Sequence, residues 1–293
     1  MNNGQNHPLA GRRVAKMNGA GNEIVVLDLR GTQAHVTAAD ARAIGAAPGL
    51  KYDQLMALHD AARTDAAASM KIFNIDGSLS GACGNGTRCV AWALLRDSAA
   101  RELELESDGG RLHVTRDNEW SFTVDMGTPK LGWRDIPLAG EGGDTTHVAL
   151  TPAVAGAPAE FSAVSMGNPH AIFFTPDAMA IDLATLGAQI ETHPLFPARV
   201  NVSFAQARAR DSILLRVWER GAGATRACGT AACATAVAGA RLGLTDRAAT
   251  VSLPGGDLRI RWRESDDHVL MSGPVELEFE TTLDPSIFAR GLE

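Results

Sequence analysis

Two stretches of this chain repeat one another, and that duplication limits what it can fold into. The first runs Lys71–Ile72–Phe73–Asn74, turns around Asp76–Gly77, and reaches Ala82–Cys83–Gly84–Asn85–Gly86. The second runs Arg216–Val217–Trp218–Glu219–Arg220, crosses a glycine-rich loop from Gly221 to Arg226, and reaches Ala227–Cys228–Gly229–Thr230. Laid together without a gap, Phe73 falls on Trp218, Asn74 on Glu219 and Cys83 on Cys228. Each copy reads as a short apolar strand, a loop, and a cysteine opening an alanine-rich helix.

The repetition extends outward from the cysteines. Arg13–Met17 and Ile24–Asp28 read as paired strands about the turn Asn18–Gly19–Ala20–Gly21, and Gly167–Asn168 leads into Ala171–Phe174 as Gly21–Asn22 leads into Ile24. Thr37 is placed to cap a helix over Ala38–Ile44, matched by a helix near Asp182–Gln189. Gln54–Leu58, Met70–Phe73 and Val200–Phe204 read as strands, and short strands follow each cysteine helix. A repeat distance near 145 residues, Cys83 to Cys228, means a duplicated domain, since solenoid units are shorter. The expected class is α+β: two pseudo-symmetric domains of like topology, each a many-stranded curled sheet around a central helix, with an active site in the cleft between them. The expected boundaries are an N-terminal half over 1–130 carrying Cys83, a Pro- and Gly-bearing linker over 131–145, a C-terminal half over 146–280 carrying Cys228, and a tail over 281–293.

Composition narrows the partners. A net charge of −7 with no Lys/Arg run argues against nucleic acid or an anionic membrane surface. No apolar run approaches the roughly 18 residues of a membrane span, and the polar opening Met1–His7 has no signal-peptide core. The expectation is a cytoplasmic protein. Aromatic residues make up only 5%, so the core must rest on Val, Ile, Leu and Ala.

Four cysteines in such a chain do not read as a disulfide framework. The local spacings, Cys83-x5-Cys89 and Cys228-x4-Cys233, contain no CxxC pair and no neighbouring His cluster, so no metal is expected. Cys89 and Cys233 would lie round the helix from Cys83 and Cys228, and read as small buried residues. Cys83 and Cys228 differ because each stands at a helix start. There the unpaired N–H groups and the positive end of the helix dipole favour a thiolate. Two such starts facing one carboxylate could take a proton from one face of a carbon and return one to the other, with general base and general acid exchanging roles on reversal.

The segments Ala82–Cys89, Val164–His170, His193–Pro197, Glu219–Gly223 and Ala227–Thr230, with Lys16–Met17, Gly21–Asn22 and Tyr52–Gln54, closely resemble the diaminopimelate epimerase family, in order and over about residues 14–280. The resemblance implies a cofactor-independent, PLP-free and metal-free isomerase. It would interconvert LL- and meso-diaminopimelate for lysine and peptidoglycan precursors through a cysteine pair, and work as a homodimer. In the LL-to-meso direction it implies Cys228 as base and Cys83 as acid, with His170 and Glu219 tuning their pKa values. One end of the substrate would set its carboxylate on the amides of Gly84, Asn85, Gly229 and Thr230. The other end would meet Arg220, which can fork a carboxylate, and the side chains of Asn22, Gln54, Asn74, Asn168, Asn201 and Glu219.

Asn18, Ala224 and Ala231 depart from residues common in the family, namely His, Glu and Gly. Three alternatives stand beside this reading. A proline or hydroxyproline racemase shares the cysteine pair but has a smaller substrate that leaves Arg220 little to bind. A phenazine-type isomerase works without the pair. A thiol-based redox or metal-binding module would be sensitive to reductant or chelator.

Overall fold

The computed structural model describes residues 6–81, 83–140 and 142–289. The first residues of the polar opening, Ala82 of the first repeat, Glu141 of the expected linker and the last four residues of the expected tail lie outside them. The chain forms two compact units, one running to Val124 and resuming at Gly273, the other spanning Asp125–Ser272. These bounds differ from the sequence-based ones. The closing strand returns to the first unit, where it pairs with the opening strand, and the expected linker includes a 3-10 turn at Trp133–Asp135. That return is a long-range pairing, which spacing along the chain cannot reveal.

In the first unit the elements are β1 (Arg13–Asn18), β2 (Glu23–Asp28), α1 (Ala38–Ala46), β3 (Gln54–His59), β4 (Ala68–Asn74), β5 (Leu79–Ser80), α2 (Gly84–Leu95), β6 (Glu102–Ser107), β7 (Gly110–Asn118) and β8 (Ser121–Asp125). The second holds β9 (Val148–Ala149), β10 (Glu160–Ser165), β11 (Pro169–Phe174), α3 (Leu183–Glu191), β12 (Asn201–Ala209), β13 (Ser212–Glu219), β14 (Gly223–Thr225), α4 (Gly229–Arg241), β15 (Ala248–Leu253), β16 (Gly256–Trp262) and all but the last two residues of β17 (Val269–Pro274). The last strand, β18 (Glu276–Thr282), belongs to the first unit.

The pairing pattern is the same in both units. β1–β2 is antiparallel, β2–β3 parallel, β3–β4 and β4–β5 antiparallel, and β4–β6 parallel. β10–β11, β11–β12, β12–β13, β13–β14 and β13–β15 follow the identical sequence of senses. Register carries the equivalence to single residues. Ile24 faces Gln54 and Gln54 faces Asn74; His170 faces Asn201, and the next pair along is Val202 with Trp218. Gln54 and Asn201 are therefore counterparts, as are Ile24 and His170, and Asn74 and Glu219.

Each sheet curls about its cysteine helix. α2 touches β1, β2, β3 and β7, while α4 touches β10 to β13, β15 and β16. A helix enclosed this way must be slim, and nearly all of α4 from Ala231 to Gly239 is buried alanine, cysteine, valine, threonine or glycine. The amphipathic helices α1 and α3 cover the outer faces. Tyr52, Ile44 and Leu27 share the core beneath α1; beneath α3, Phe173 stacks on Phe204 and meets Phe161 at a tilt, with ring centroids 5.3 Å apart in each pair. Fully burying each such side chain contributes about 2 kcal/mol.

Candidate active site

Cys83 is the N-cap of α2, in extended conformation, and its sulfur accepts the amide of Gly86 at 3.2 Å. Cys228 is the N-cap of α4 with nearly the same backbone angles, as the duplication requires. At both helix starts the first-turn amides, Gly84 and Asn85 or Gly229 and Thr230, have no partner within the helix, as at any helix N-terminus. The Asn85 side-chain oxygen is engaged elsewhere: Oδ1 accepts the fully buried Arg88 Nη1 at 2.9 Å. Gly86 is needed for close packing, since a Cβ there would come 2.6 Å from Met56 Sδ.

Each β-hairpin upstream of the cysteine delivers an asparagine after a left-handed glycine. Gly21 has φ +88 and Gly167 φ +93, the region that only glycine enters without cost. Asn22 donates from Nδ2 to Asp53 Oδ2 at 2.8 Å, and its Oδ1 lies 3.7 Å from Cys83 Sγ. Nearby on the same sheet, Gln54 Nε2 donates to Asn74 Oδ1 at 3.2 Å, and Asn74 Nδ2 to Ser78 Oγ at 3.0 Å. Of the sequence-predicted residues, the first unit thus brings together Asn22 with Cys83, and Gln54 with Asn74.

In the second unit four residues form a line. His170 Nε2 is 3.0 Å from Asn168 Oδ1, Asn168 Nδ2 donates to Thr230 Oγ1 at 3.2 Å, and Thr230 Oγ1 is 3.6 Å from Cys228 Sγ. Burial, then the charge of Arg220, holds the imidazole of His170 down at about 3, so it is neutral at pH 7. Its Nδ1 is buried with no hydrogen-bond partner. A lone pair is cheaper to leave there than an N–H, so the proton sits on Nε2 and is donated to Asn168. Burial and then the Glu219 carboxylate push the Cys228 thiol well above its usual range, while the Thr230 hydroxyl pulls it down.

Asn201 supports the backbone. It is buried, donates from Nδ2 to Pro169 O at 2.9 Å, and accepts Arg220 N at 3.0 Å on Oδ1. Arg220 is exposed, with Nη1 donating to Ala198 O at 3.1 Å. Glu219 Oε1 accepts the Thr225 hydroxyl at 2.5 Å.

Two carboxylates escaped the reading of the sequence. Asp53 was visible within Tyr52–Gln54 but had no assigned role. Glu191, at the end of α3, accepts Trp218 Nε1 at 2.7 Å and Gly221 N at 3.0 Å, and so ties down the turn that carries Glu219 and Arg220. No local signal marks it, because its partners come from a strand and turn nearly 30 positions on.

Cys89 and Cys233 are fully buried, and burial raises the Cys89 thiol to about 12, as expected of a packing residue. Among the described residues no group of three or more His, Cys, Asp or Glu side chains is gathered as if for a metal ion, and no helix is long and apolar enough to cross a membrane.

Comparison with known proteins agrees with this architecture. A diaminopimelate epimerase from Methylocella silvestris is 55% identical over 97% of this chain and 98% of its own. One from Methylorubrum populi is 56% identical over 96% and 98%. A solved hydroxyproline epimerase from Agrobacterium vitis with bound trans-4-hydroxy-L-proline shares the fold, with a TM-score of 0.66 at 15% identity over 94% of this chain and 93% of that one. The family model described as diaminopimelate epimerase matches residues 14–132 and 162–278, one segment for each cysteine helix. With both halves matched and full-length relatives above 50% identity, the chain belongs to the diaminopimelate epimerase family.

Proposed function

We propose that the protein interconverts LL- and meso-diaminopimelate by a two-base mechanism, with Cys83 and Cys228 as the acid–base pair and no PLP or metal. The observation that carries this reading is the duplicated helix-start cysteine, Cys83 and Cys228 each at the N-cap of a central helix in units of identical topology. Inversion at an α-carbon needs one group to remove a proton and another to deliver one. In the LL-to-meso direction the Cys228 thiolate takes the α-proton and the Cys83 thiol donates its own, leaving a Cys83 thiolate.

The α-carboxylate rests on the first-turn amides of Gly84, Asn85, Gly229 and Thr230, which also stabilise charge spreading onto it as the carbanion forms. His170 and Glu219 set the field around the thiols. Because His170 is neutral, it acts as a hydrogen-bond donor and not as a cation. The exposed Arg220 takes the far carboxylate of the substrate, and Asn22, Gln54, Asn74, Asn168, Asn201 and Glu219 contribute polar contacts or hold those that do. The sequence match with diaminopimelate epimerases at 55–56% identity supports this long, doubly zwitterionic substrate. The protein works in the cytoplasm as a homodimer without nucleic-acid or membrane partners, a reading consistent with its net charge of −7.

The test is direct. Purified protein incubated with LL-diaminopimelate under reductant, without added cofactor, produces the meso isomer by chiral chromatography and is indifferent to chelator. Turnover of L-proline or trans-4-hydroxy-L-proline in place of diaminopimelate would assign it to the racemase branch instead.

A further inference from the structure

The two units repeat one another in fold but not in the side-chain group that each presents to its sulfur. Asn22 and Asn168 are counterparts, each following a left-handed glycine and preceding the strand that leads to Gln54 or Asn201. Their surroundings differ. One residue before Gln54 stands Asp53; one before Asn201 stands Val200, fully buried and without a polar group. Two residues after Asn22 stands Ile24; two after Asn168 stands His170.

The chemistry of these neighbours decides which way each amide faces. Asp53 Oδ2 accepts both Asn22 Nδ2 and the Glu23 amide at 2.8 Å. A carboxylate cannot donate, so the nitrogen of Asn22 must face it and the oxygen must face Cys83 Sγ at 3.7 Å. An amide oxygen has nothing to offer a thiolate and can only accept S–H. In the other unit, His170 takes the oxygen of Asn168, the nitrogen of Asn168 goes to Thr230, and the Thr230 hydroxyl proton is left for Cys228. Apart from the Gly86 amide that Cys83 Sγ accepts at 3.2 Å, the side chain facing one sulfur is an acceptor and the side chain facing the other a donor.

We propose that Asp53 is a positioning residue for Cys83: by fixing the amide of Asn22 it keeps an acceptor on the sulfur and holds Cys83 as the S–H form that can give a proton. This rests on the two-base reading for its catalytic meaning, but not for its effect on the sulfur. Arg88 on α2 and Lys16 on β1 are the cations whose charge reaches the neighbouring Cys89. Neither is altered by the test.

The test measures the pH midpoint of Cys83 alkylation by iodoacetamide, read peptide by peptide by mass spectrometry. Asp53→Ala frees Asn22 to turn its nitrogen to the sulfur, and lowers the Cys83 midpoint by about one pH unit while that of Cys228 stays put. Asp53→Asn, which can still accept from Asn22, keeps the midpoint near that of the wild type. Asn22→Ala also lowers it, and in that background Asp53→Ala adds nothing. An unchanged midpoint in Asp53→Ala or in Asn22→Ala overturns the proposal. So does a shift in Asp53→Asn as large as in Asp53→Ala, or one that persists without Asn22, since either means the charge acts through space. Retained epimerase activity in Cys83→Ala would sink the two-base reading separately and leave these midpoints meaningful.

Discussion

Asn168 donates to Thr230 at 3.2 Å and thereby turns the hydroxyl proton of Thr230 toward Cys228, whose sulfur is 3.6 Å away. This places a donor beside a thiol that burial and Glu219 make reluctant to ionise. Thr230→Val keeps the shape and removes the donor. A hydrogen bond to a charged group contributes about 1.5–3 kcal/mol, so turnover should fall roughly tenfold to a hundredfold. The alkylation midpoint of Cys228 should rise, with that of Cys83 unmoved. Unaltered turnover would show that the hydroxyl does not bear on this sulfur.

His170 makes a statement about acid stability. Its folded pKa is about 3 against an ordinary 6.5, so between those values the unfolded chain binds a proton that the folded chain refuses. Its contribution is intact above pH 6.5 and is lost as the pH falls toward 3. Replacing it by His170→Gln should flatten the fall in urea midpoint between pH 7 and pH 4.5 relative to wild type, at a single pH-independent cost. Parallel curves for the two proteins would mean that the ring is not buried neutral.

Glu191 should matter more for stability than its distance from the cysteines in sequence suggests. Its buried carboxylate accepts Trp218 and Gly221, and Arg199 Nη1 is 3.4 Å away. Truncation by Glu191→Ala leaves the half-buried indole N–H and the Gly221 N–H without their acceptor, at a cost of about 1–3 kcal/mol by denaturant titration. The Michaelis constant should rise as well, because Arg220 loses its anchored turn.

Two glycines separate strain from crowding. Gly77 has φ +84, and a Cβ would come 2.5 Å from the Ala38 carbonyl oxygen; Gly167 has φ +93 and open space. Gly167→Ala should cost about 1–2 kcal/mol from backbone strain alone. Gly77→Ala adds overpacking against a backbone atom and should cost about 3 kcal/mol or more. Equal melting temperatures for the two variants would contradict this ordering.

The local elements were legible because local physics sets them. Thr37 and Asp40 form the capping box that opens α1, and Asp182 caps α3. The ungapped match of Phe73 with Trp218 is reproduced by the strand register, where Leu55 faces Phe73 and Val202 faces Trp218. What the sequence hid was long-range. The pairing of β18 with β1 joins the two ends of the chain, and Glu191 meets partners on β13 and the turn after it. The orientation of Asn22 depends on Asp53, 31 positions away, and no spacing rule encodes which end of an amide faces a sulfur.

The central claim is that two thiols exchange the α-proton. The measurement is deuterium incorporation at the α-carbon of LL-diaminopimelate in D2O, under reductant and without cofactor, for wild type, Cys83→Ala and Cys228→Ala. The account predicts label uptake with inversion in the wild type and loss of inversion in both variants. Inversion that survives either substitution would contradict it.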